Sequence, residues 1–153
     1  MNEKVTVLVS ACLFGVPCRY DGKSVAFDEL EKMQARANLV PFCAEIYGGL
    51  PTPRPASEID GARVVTEAGV DVTEAFRKGA SEGVRLIKML DCRYALLKDK
   101  SPSCGVGQVY SGKFDRTLVP GNGILAQALM DAGVKVFSSK NIDELLKALD
   151  AEA

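Results

Sequence analysis

The sequence contains no histidine and no tryptophan, and aromatic residues make up only 7% of its 153 positions. Without histidine, the chain lacks the side chain that most often transfers protons in enzymes. It also cannot build Cys–His dyads, Cys2His2 zinc sites or facial-triad iron sites. Any proton transfer must therefore depend on Asp, Glu, Lys, Tyr, Ser or Cys.

The chain also lacks an excess of charge, since 19 basic and 20 acidic residues leave a net charge of -1. This balance creates no positive field for nucleic acid or an anionic membrane, and the few aromatic residues are not interleaved with Lys or Arg. No apolar run approaches the ~18 residues of a membrane span, and the N-terminus shows no signal-peptide pattern. We therefore expect a cytoplasmic protein that binds neither nucleic acid nor membrane.

Cysteine is present, but not in a pattern typical of disulfide frameworks. The count is odd, no Cys-x-x-Cys pair occurs, and a reducing compartment keeps thiols free. The thiols are therefore either small buried residues or ligands and reactive groups. The five are Cys12, Cys18, Cys43, Cys92 and Cys104.

Short apolar segments alternate with segments of helical periodicity along the chain. Because parallel strands require crossover connections, this order predicts a three-layer α/β fold with a mostly parallel sheet and Rossmann-like alternation. The length fits one domain covering residues 1–153. We predict strands at 5–11, 38–42, 94–97 and 134–137, helices at 26–37, 73–90, 123–132 and 142–149, and a small β-hairpin insertion at 62–73 whose turn is Glu-Ala-Gly; residues 107–117 either form a second hairpin or cover a site.

Three cysteines follow predicted strands. Cys12 and Cys43 come directly after the first two, and Cys104 lies a few residues past the third, in the turn Ser-Pro-Ser-Cys-Gly. The carboxyl ends of parallel strands share one edge of a sheet, where α/β proteins bind ligands. Three thiols meeting there, without histidine, favour a soft metal centre.

The residues alone leave the identity of that centre open. A zinc ion with three Cys ligands and a water fits, and so does a 4Fe-4S cluster with one open iron that acts as a Lewis acid. The Gly and Pro residues beside these cysteines allow close backbone approach to a cluster. We interpret Cys18 as structural, although a spare ligand or a redox partner also fits its place six residues after Cys12, and Cys92 as a core residue at the end of a helix.

Several segments together resemble the thiouracil desulfidase family. They are SACLFGVPCRYDG, PFCAEIYGGLPTPRPASEI, the RVV…GVDVT hairpin, KDKSPSCG and GNGILAQAL…GVKVFSS, and the likeness runs from about Val5 to the final helix. It implies a 4Fe-4S enzyme that removes sulfur from thiolated pyrimidine bases, converting thiouracil to uracil by non-redox cleavage of the C–S bond with water. The chain has Cys-Ala-Glu where relatives commonly have Cys-Pro-Glu, which keeps the carboxylate.

The resemblance also implies roles for particular residues. Cys12, Cys43 and Cys104 match the cluster ligands, the open iron binds the substrate sulfur, Glu45 activates water, and Ser101 supplies a hydroxyl group. Six further residues are predicted to bind the substrate. Other roles fit some of them equally: Arg19, Tyr20 and Asp21 can brace the first loop. Arg54 can be an exposed charge, and Gly123 can allow tight helix packing. These six are Arg19, Tyr20, Asp21, Arg54, Ser103 and Gly123.

Other functions compete with desulfuration. A non-catalytic iron–sulfur carrier or redox sensor would need the same three ligands, and a zinc-dependent hydrolase would use them for one ion. A metal-free thiol domain is the simplest alternative. The glutamate beside Cys43 and the long proline-rich loop favour a substrate pocket, and a small-molecule thiobase is the expected partner.

Overall fold

Strands and helices alternate along the chain in the computed structural model, which describes residues 4–25 and 27–152. The strands are β1 (Val5–Ser10), β2 (Ala37–Phe42), β3 (Ser57–Asp60), β4 (Arg63–Thr66), β5 (Cys92–Leu97), β6 (Gln108–Tyr110), β7 (Leu118–Pro120) and β8 (Lys135–Ser138). The helices are α1 (Leu30–Gln34), α2 (Ala44–Tyr47), α3 (Thr73–Met89), α4 (Ile124–Asp131) and α5 (Ile142–Glu152), and short 3-10 turns cover Ala11–Phe14 and Ser139–Asn141.

Four of the strands form a parallel sheet with the order β2-β1-β5-β8. The central strand β1 is mostly apolar because both of its faces are covered, and Val7, Leu8 and Val9 are fully buried. Strand β2 lies at the edge of the sheet and pairs only with β1. Pro41 is tolerated there because no second strand needs its missing N–H group.

Helices cover both faces of this sheet. On one face, Val7 and Val9 pack in a core with residues of α1 and α5, among them Met33 and Leu145. On the other face, Leu8 packs in a core supplied mainly by α3 and α4, and Leu125 and Leu129 are fully buried there. The predicted three-layer α/β fold is confirmed. Over the described residues, no helix combines the length and the apolar character that crossing a membrane demands.

Two of the predicted boundaries are wrong. The helix expected at 26–37 is only the five residues of α1, because Phe27 reaches the core from a loop and Ala37 already pairs with Val5 in the sheet. Residue 26 lies outside the described residues. Cys92 begins β5 instead of ending a helix, since α3 stops at Met89 and Asp91 reverses the chain with a left-handed φ of 52°.

The hairpin insertion is present, but its position differs from the prediction. Strand β4 pairs with β3 in an antiparallel register, so the main turn lies at residues 61–62. The expected turn at 67–69 also forms, yet it closes only a single bridge between Val65 and Asp71. The polar sequence of β3, Ser-Glu-Ile-Asp, carries no apolar run, so the sequence alone does not predict a strand there.

A second hairpin, β6–β7, joins the first through one carboxylate. Glu58 on β3 is buried, and its Oε1 accepts hydrogen bonds from the backbone N–H of Gly112 at 2.9 Å and of Phe114 at 3.2 Å. These bonds hold the 111–117 loop of the second hairpin against the first. Both hairpins contribute residues to the same cavity.

Candidate active site

A cavity of about 610 Å³ lies at the carboxyl ends of β1, β2 and β5. The connection after β1 leads to β2 on one side and the connection after β5 leads to β8 on the other, so the loops that follow these two neighbouring strands run apart at this edge. Open α/β sheets bind ligands at such a topological switch point. Residues from the loops that follow all three strands and from both hairpins line the cavity.

The three predicted ligands all line this cavity. Cys12 lies in the 3-10 turn after β1, Cys43 lies between β2 and α2, and Cys104 lies in the turn after β5. Each thiol is placed by the end of a different strand, as expected for a parallel sheet. The structure therefore brings together three thiols that are separated by tens of residues in the sequence.

A fourth cysteine, Cys18, also lines the cavity, and sequence reasoning missed this. Its thiol lies near those of Cys12 and Cys43: the Cys12 thiol and burial raise the pKa of Cys18, whereas the Cys43 thiol lowers it. The available signal was its place in the same Gly- and Pro-rich loop as Cys12. Cys92 lies apart, buried in the core at the start of β5, as its structural interpretation requires.

The environment of the cavity thiols favours their protonated form. The Cys18 thiol and burial raise the pKa of Cys43 far above its ordinary value. Burial raises the pKa of Cys104 to about 11, although the hydroxyl group of Ser10, which donates to its sulfur, and the nearby hydroxyl group of Ser103 act in the opposite direction. A thiol must lose its proton to become a ligand, so metal loading here is coupled to proton release.

The donors in the cavity can be compared with two kinds of metal centre. Over residues 4–25 and 27–152, no three His, Cys, Asp or Glu side chains stand close enough to hold one metal ion. A zinc site needs its three thiolates around a single atom, whereas each cysteine on a 4Fe-4S cluster binds a different iron. Sulfur donors without histidine, spread around one cavity, fit a cluster. The residues that fit are Cys12, Cys43 and Cys104.

Glu45 lines the same cavity from α2, two residues after Cys43. Its Oε1 accepts a hydrogen bond from Arg54 Nε at 3.1 Å, and its Oε2 accepts one from Ser103 Oγ at 3.1 Å. Its side chain is 15% exposed. Each oxygen retains a lone pair for a further donor, because an ionised carboxylate accepts about four hydrogen bonds.

Ser101 and Ser103 form a hydroxyl pair in the turn that carries Cys104. Ser101 Oγ accepts the backbone N–H of Ser103 and of Cys104, each at 3.1 Å, and lies 3.0 Å from Ser103 Oγ. These two acceptances use both lone pairs of Ser101, so its O–H is the donor to Ser103. Ser103 in turn donates to Glu45, and the chain of hydrogen bonds runs in one direction.

Ser10 supports Cys104 from the end of β1. Its Oγ accepts the backbone N–H of Lys98 at 2.9 Å and donates to Cys104 Sγ at 3.3 Å. The serine therefore links the two central strands and directs a hydroxyl at a cavity sulfur. The signal for Ser10 in the sequence is a polar residue at the end of an otherwise apolar strand.

The predicted substrate-binding residues are distributed unevenly. Arg19 and Tyr20 line the cavity, and Tyr20 is 43% exposed. Asp21 lies outside the lining, where it accepts the backbone N–H of Lys23 at 3.0 Å and pairs with Arg19 at 3.8 Å. Gly123 also lies outside the lining, against the backbone of Ser103.

Gly123 allows α4 to approach the turn that carries Cys104. A Cβ at this position would lie 2.4 Å from the carbonyl carbon of Ser103 and 2.8 Å from the backbone nitrogen of Cys104. The first turn of α4 donates backbone N–H groups to the same segment, from Ile124 to the carbonyl of Pro102 and from Leu125 to that of Ser103. The glycine therefore shapes the Ser-Pro-Ser-Cys turn from behind.

Further lining residues come from the segment after β5 and from residues 107–117, which form the second hairpin and also line the cavity. Lys98 and Asp99 form an ion pair after β5, and Lys100 follows with a left-handed φ of 67°. Phe114 and Arg116 of the second hairpin also have left-handed φ values, 55° and 63°. Such sparsely populated backbone conformations cluster at functional sites.

The fold and the site together define a class of protein, a three-layer α/β domain with a thiol-lined cavity at the carboxyl edge of its parallel sheet. The family model of 2-thiouracil desulfurase matches residues 7–141. The chain belongs to this family, and the resemblance of its motifs is confirmed.

Two similar proteins extend the comparison. The uncharacterized protein YbbK of Bacillus subtilis (strain 168) is 36% identical over 150 residues, which cover 92% of this chain and 99% of that protein. A solved structure named 4Fe-4S-dependent thiouracil desulfidase TudS is 43% identical and superimposes with a TM-score of 0.90. That alignment covers 98% of this chain and 99% of the other.

Proposed function

We propose that this protein removes sulfur from thiolated pyrimidine bases such as thiouracil, with a 4Fe-4S cluster held by Cys12, Cys43 and Cys104. The observation that carries the proposal is that these three thiols and the carboxylate of Glu45 line one cavity. Membership of the 2-thiouracil desulfurase family and the likeness to TudS support the activity. When bound, the cluster supplies an open iron as a Lewis acid for the thiocarbonyl sulfur.

Glu45 is the general base in this proposal. In the absence of histidine, it is the cavity carboxylate closest in sequence to a ligand, and its two oxygens are held by Arg54 and Ser103. A water that donates to a remaining lone pair of Glu45 loses a proton as its oxygen attacks the ring carbon. The C–S bond then breaks, oxygen takes the place of sulfur, and sulfide leaves, so no electrons are exchanged. General-base catalysis of this kind contributes roughly 10²–10⁴-fold to a rate.

Ser101 and Ser103 assist Glu45 through their hydroxyl groups. Because Ser101 donates to Ser103 and Ser103 donates to Glu45, the pair orients one carboxylate oxygen and leaves the other edge of the carboxylate for water. Ser101 also lines the cavity.

The cavity has the size and lining expected for a small substrate. Ligand sites commonly have volumes of roughly 300–1,000 Å³, and the 610 Å³ cavity lies within that range. Arg19 and Tyr20 are the predicted substrate contacts that line it. In this proposal the aromatic ring of Tyr20 packs on the base, and Arg19 donates to a ring carbonyl.

The decisive experiment is anaerobic reconstitution of the protein, followed by a sulfide-release assay. Cluster-loaded protein is expected to release sulfide from 2-thiouracil or 4-thiouracil and to yield an equal amount of uracil by chromatography. Metal-free protein and zinc-loaded protein are the controls, and both are expected to be inactive.

The proposal would be wrong if cluster-loaded protein released no sulfide from any thiobase. A cluster carrier would give that result and would instead transfer its cluster to a metal-free acceptor protein. A zinc hydrolase would give activity with zinc and none with the cluster.

A further inference from the structure

The guanidinium of Arg54 connects several parts of the cavity wall. Nε donates to Glu45 Oε1 at 3.1 Å, and Nη2 donates to the carbonyl of Cys18 at 2.9 Å. Nη1 donates to the carbonyl of Pro51 at 3.2 Å and to Thr52 Oγ1 at 3.0 Å. The side chain is only 4% exposed.

From this geometry we infer that Arg54 is a positioning residue, which orients Glu45 and ties the loop of Cys18 to the proline-rich loop. This inference rests on the proposed function, because Glu45 matters only if it acts on a substrate. It assigns to Arg54 a role other than binding the substrate.

The hydrogen bonds of Arg54 within the protein leave few of its N–H donors for a substrate. Four of its five N–H donors have partners within the protein, and its charge is paired with Glu45. A substrate clamp needs exposed donors at the cavity surface, and a side chain with 4% exposure does not offer them. Its donors instead satisfy two carbonyl groups, one hydroxyl group and one carboxylate that lie near the site.

Arg54 also joins two segments that carry cavity thiols. Its backbone N–H donates to the carbonyl of Tyr20 at 2.8 Å, and its side chain donates to the carbonyl of Cys18, so the first loop is held at two points. The bond to Glu45 holds α2, which directly follows Cys43. One residue therefore sets the spacing between the loop of Cys18 and the segment of Cys43 and Glu45.

Arginine is suited to this position because its planar fork donates in several directions at once. Lysine at the same position offers a charge for Glu45 but cannot reach all four acceptors. Methionine offers neither the charge nor the N–H donors. It therefore leaves a carboxylate oxygen of Glu45 and two backbone carbonyl groups without these donors. The two substitutions therefore separate the charge of Arg54 from its bridging geometry.

The test compares Arg54→Met and Arg54→Lys with wild type, using turnover per loaded cluster. We expect Arg54→Met to lower kcat at least about tenfold while KM changes less than about threefold, because an orienting group is lost and not a binding contact. Arg54→Lys is expected to recover part of kcat. A large rise in KM with unchanged kcat would overturn the inference, since that is the signature of a substrate clamp.

A double-mutant cycle with Glu45→Gln asks whether Arg54 acts through Glu45. If it does, Arg54→Met lowers kcat by less than about threefold in the Glu45→Gln background, far less than in wild type. Independent, multiplicative effects would overturn the inference. Arg36→Met is the matched control, because Arg36 pairs with Asp150 at 2.6 Å outside the cavity lining, and its kcat and KM are expected to match wild type.

A second readout requires no cluster and no activity. In metal-free protein, both Arg54 variants are expected to speed labelling of Cys18 by a maleimide, mapped by mass spectrometry, because the first loop loses its tether. Unchanged labelling in Arg54→Lys, the milder variant, would overturn the bridging role even if Arg54→Met fails to fold. If wild-type protein releases no sulfide but both Arg54 variants speed labelling of Cys18, the proposed function is wrong. The role of Arg54 in holding the first loop is then still supported.

Discussion

Ser103 Oγ donates a hydrogen bond to Glu45 Oε2 at 3.1 Å, across 58 residues of sequence. The bond joins the turn after β5 to the helix after β2, and thus connects the segments of two cavity cysteines, Cys104 and Cys43. On the far side of each segment lies a glycine with no room for a side chain: a Cβ at Gly123 would meet Ser103, and one at Gly79 would meet the carbonyl of Ala44 at 1.8 Å. Close backbone packing therefore holds both ends of the bond.

Glu45→Gln is expected to lower the rate of sulfide release by ~10²–10⁴-fold, because the amide cannot take a proton from water. The near-identical shape of glutamine keeps the acceptor for Ser103, so the cluster should load normally. Visible absorbance and iron content measure loading, and the sulfide assay measures turnover. Glu82→Gln, which alters an exposed pair with Arg85 on α3, is the control. Full activity of Glu45→Gln would exclude Glu45 as the base.

Ser103→Ala and Ser101→Ala should fail in different ways. Ser103→Ala removes the donor to Glu45 and is expected to lower kcat while the iron content stays near wild type. Ser101→Ala removes the acceptor for the backbone N–H groups of Ser103 and Cys104, which costs ~1–3 kcal/mol of stability per unsatisfied buried group. It should therefore also lower the melting temperature and the iron content. Identical profiles for the two variants would contradict the separate roles assigned to the hydroxyls.

Replacement of the cavity cysteines by serine tests the ligand set. Serine at position 12, 43 or 104 is expected to abolish or strongly lower the iron and acid-labile sulfide retained per chain after anaerobic reconstitution. Cys92→Ser is the control, because Cys92 is buried in the core away from the cavity. Cys18→Ser decides whether the fourth cavity thiol binds iron, and we expect it to retain the cluster. If the Cys18→Ser variant loses iron, the ligand set must include Cys18.

Gly123→Ala should disturb the site without adding a group to the cavity. The new Cβ would press on the backbone of Ser103 and Cys104, so the turn must move and both stability and iron content should fall. Gly133→Ala is the matched control, since a Cβ there meets no atom within 4 Å but the left-handed φ of 90° still costs about 1 kcal/mol. Thermal unfolding and iron analysis measure both effects. A Gly123→Ala protein that loads iron as well as Gly133→Ala would contradict the role of Gly123 behind the turn.

Much of the fold and the approximate place of the site follow from local sequence patterns. The alternation of short apolar strands with helical segments determines a parallel sheet covered on both faces, because parallel strands need crossovers. Given that sheet, cysteines directly after β1 and β2 and shortly after β5 must lie along one edge. The positions of Cys12, Cys43 and Cys104 at a common cavity were predictable for this physical reason.

The tertiary structure alone decided how the side chains in the cavity are connected. The pairing of Arg54 with Glu45, the contact of Ser103 with Glu45 and the place of Cys18 between two other thiols depend on how irregular loops pack together. Loops have no periodicity that reports the direction of a side chain, and their hydrogen bonds form between segments far apart in sequence. Gly123 shows the same limit, since its glycine pattern fits substrate contact and tight helix packing equally, and only the structure places it against backbone.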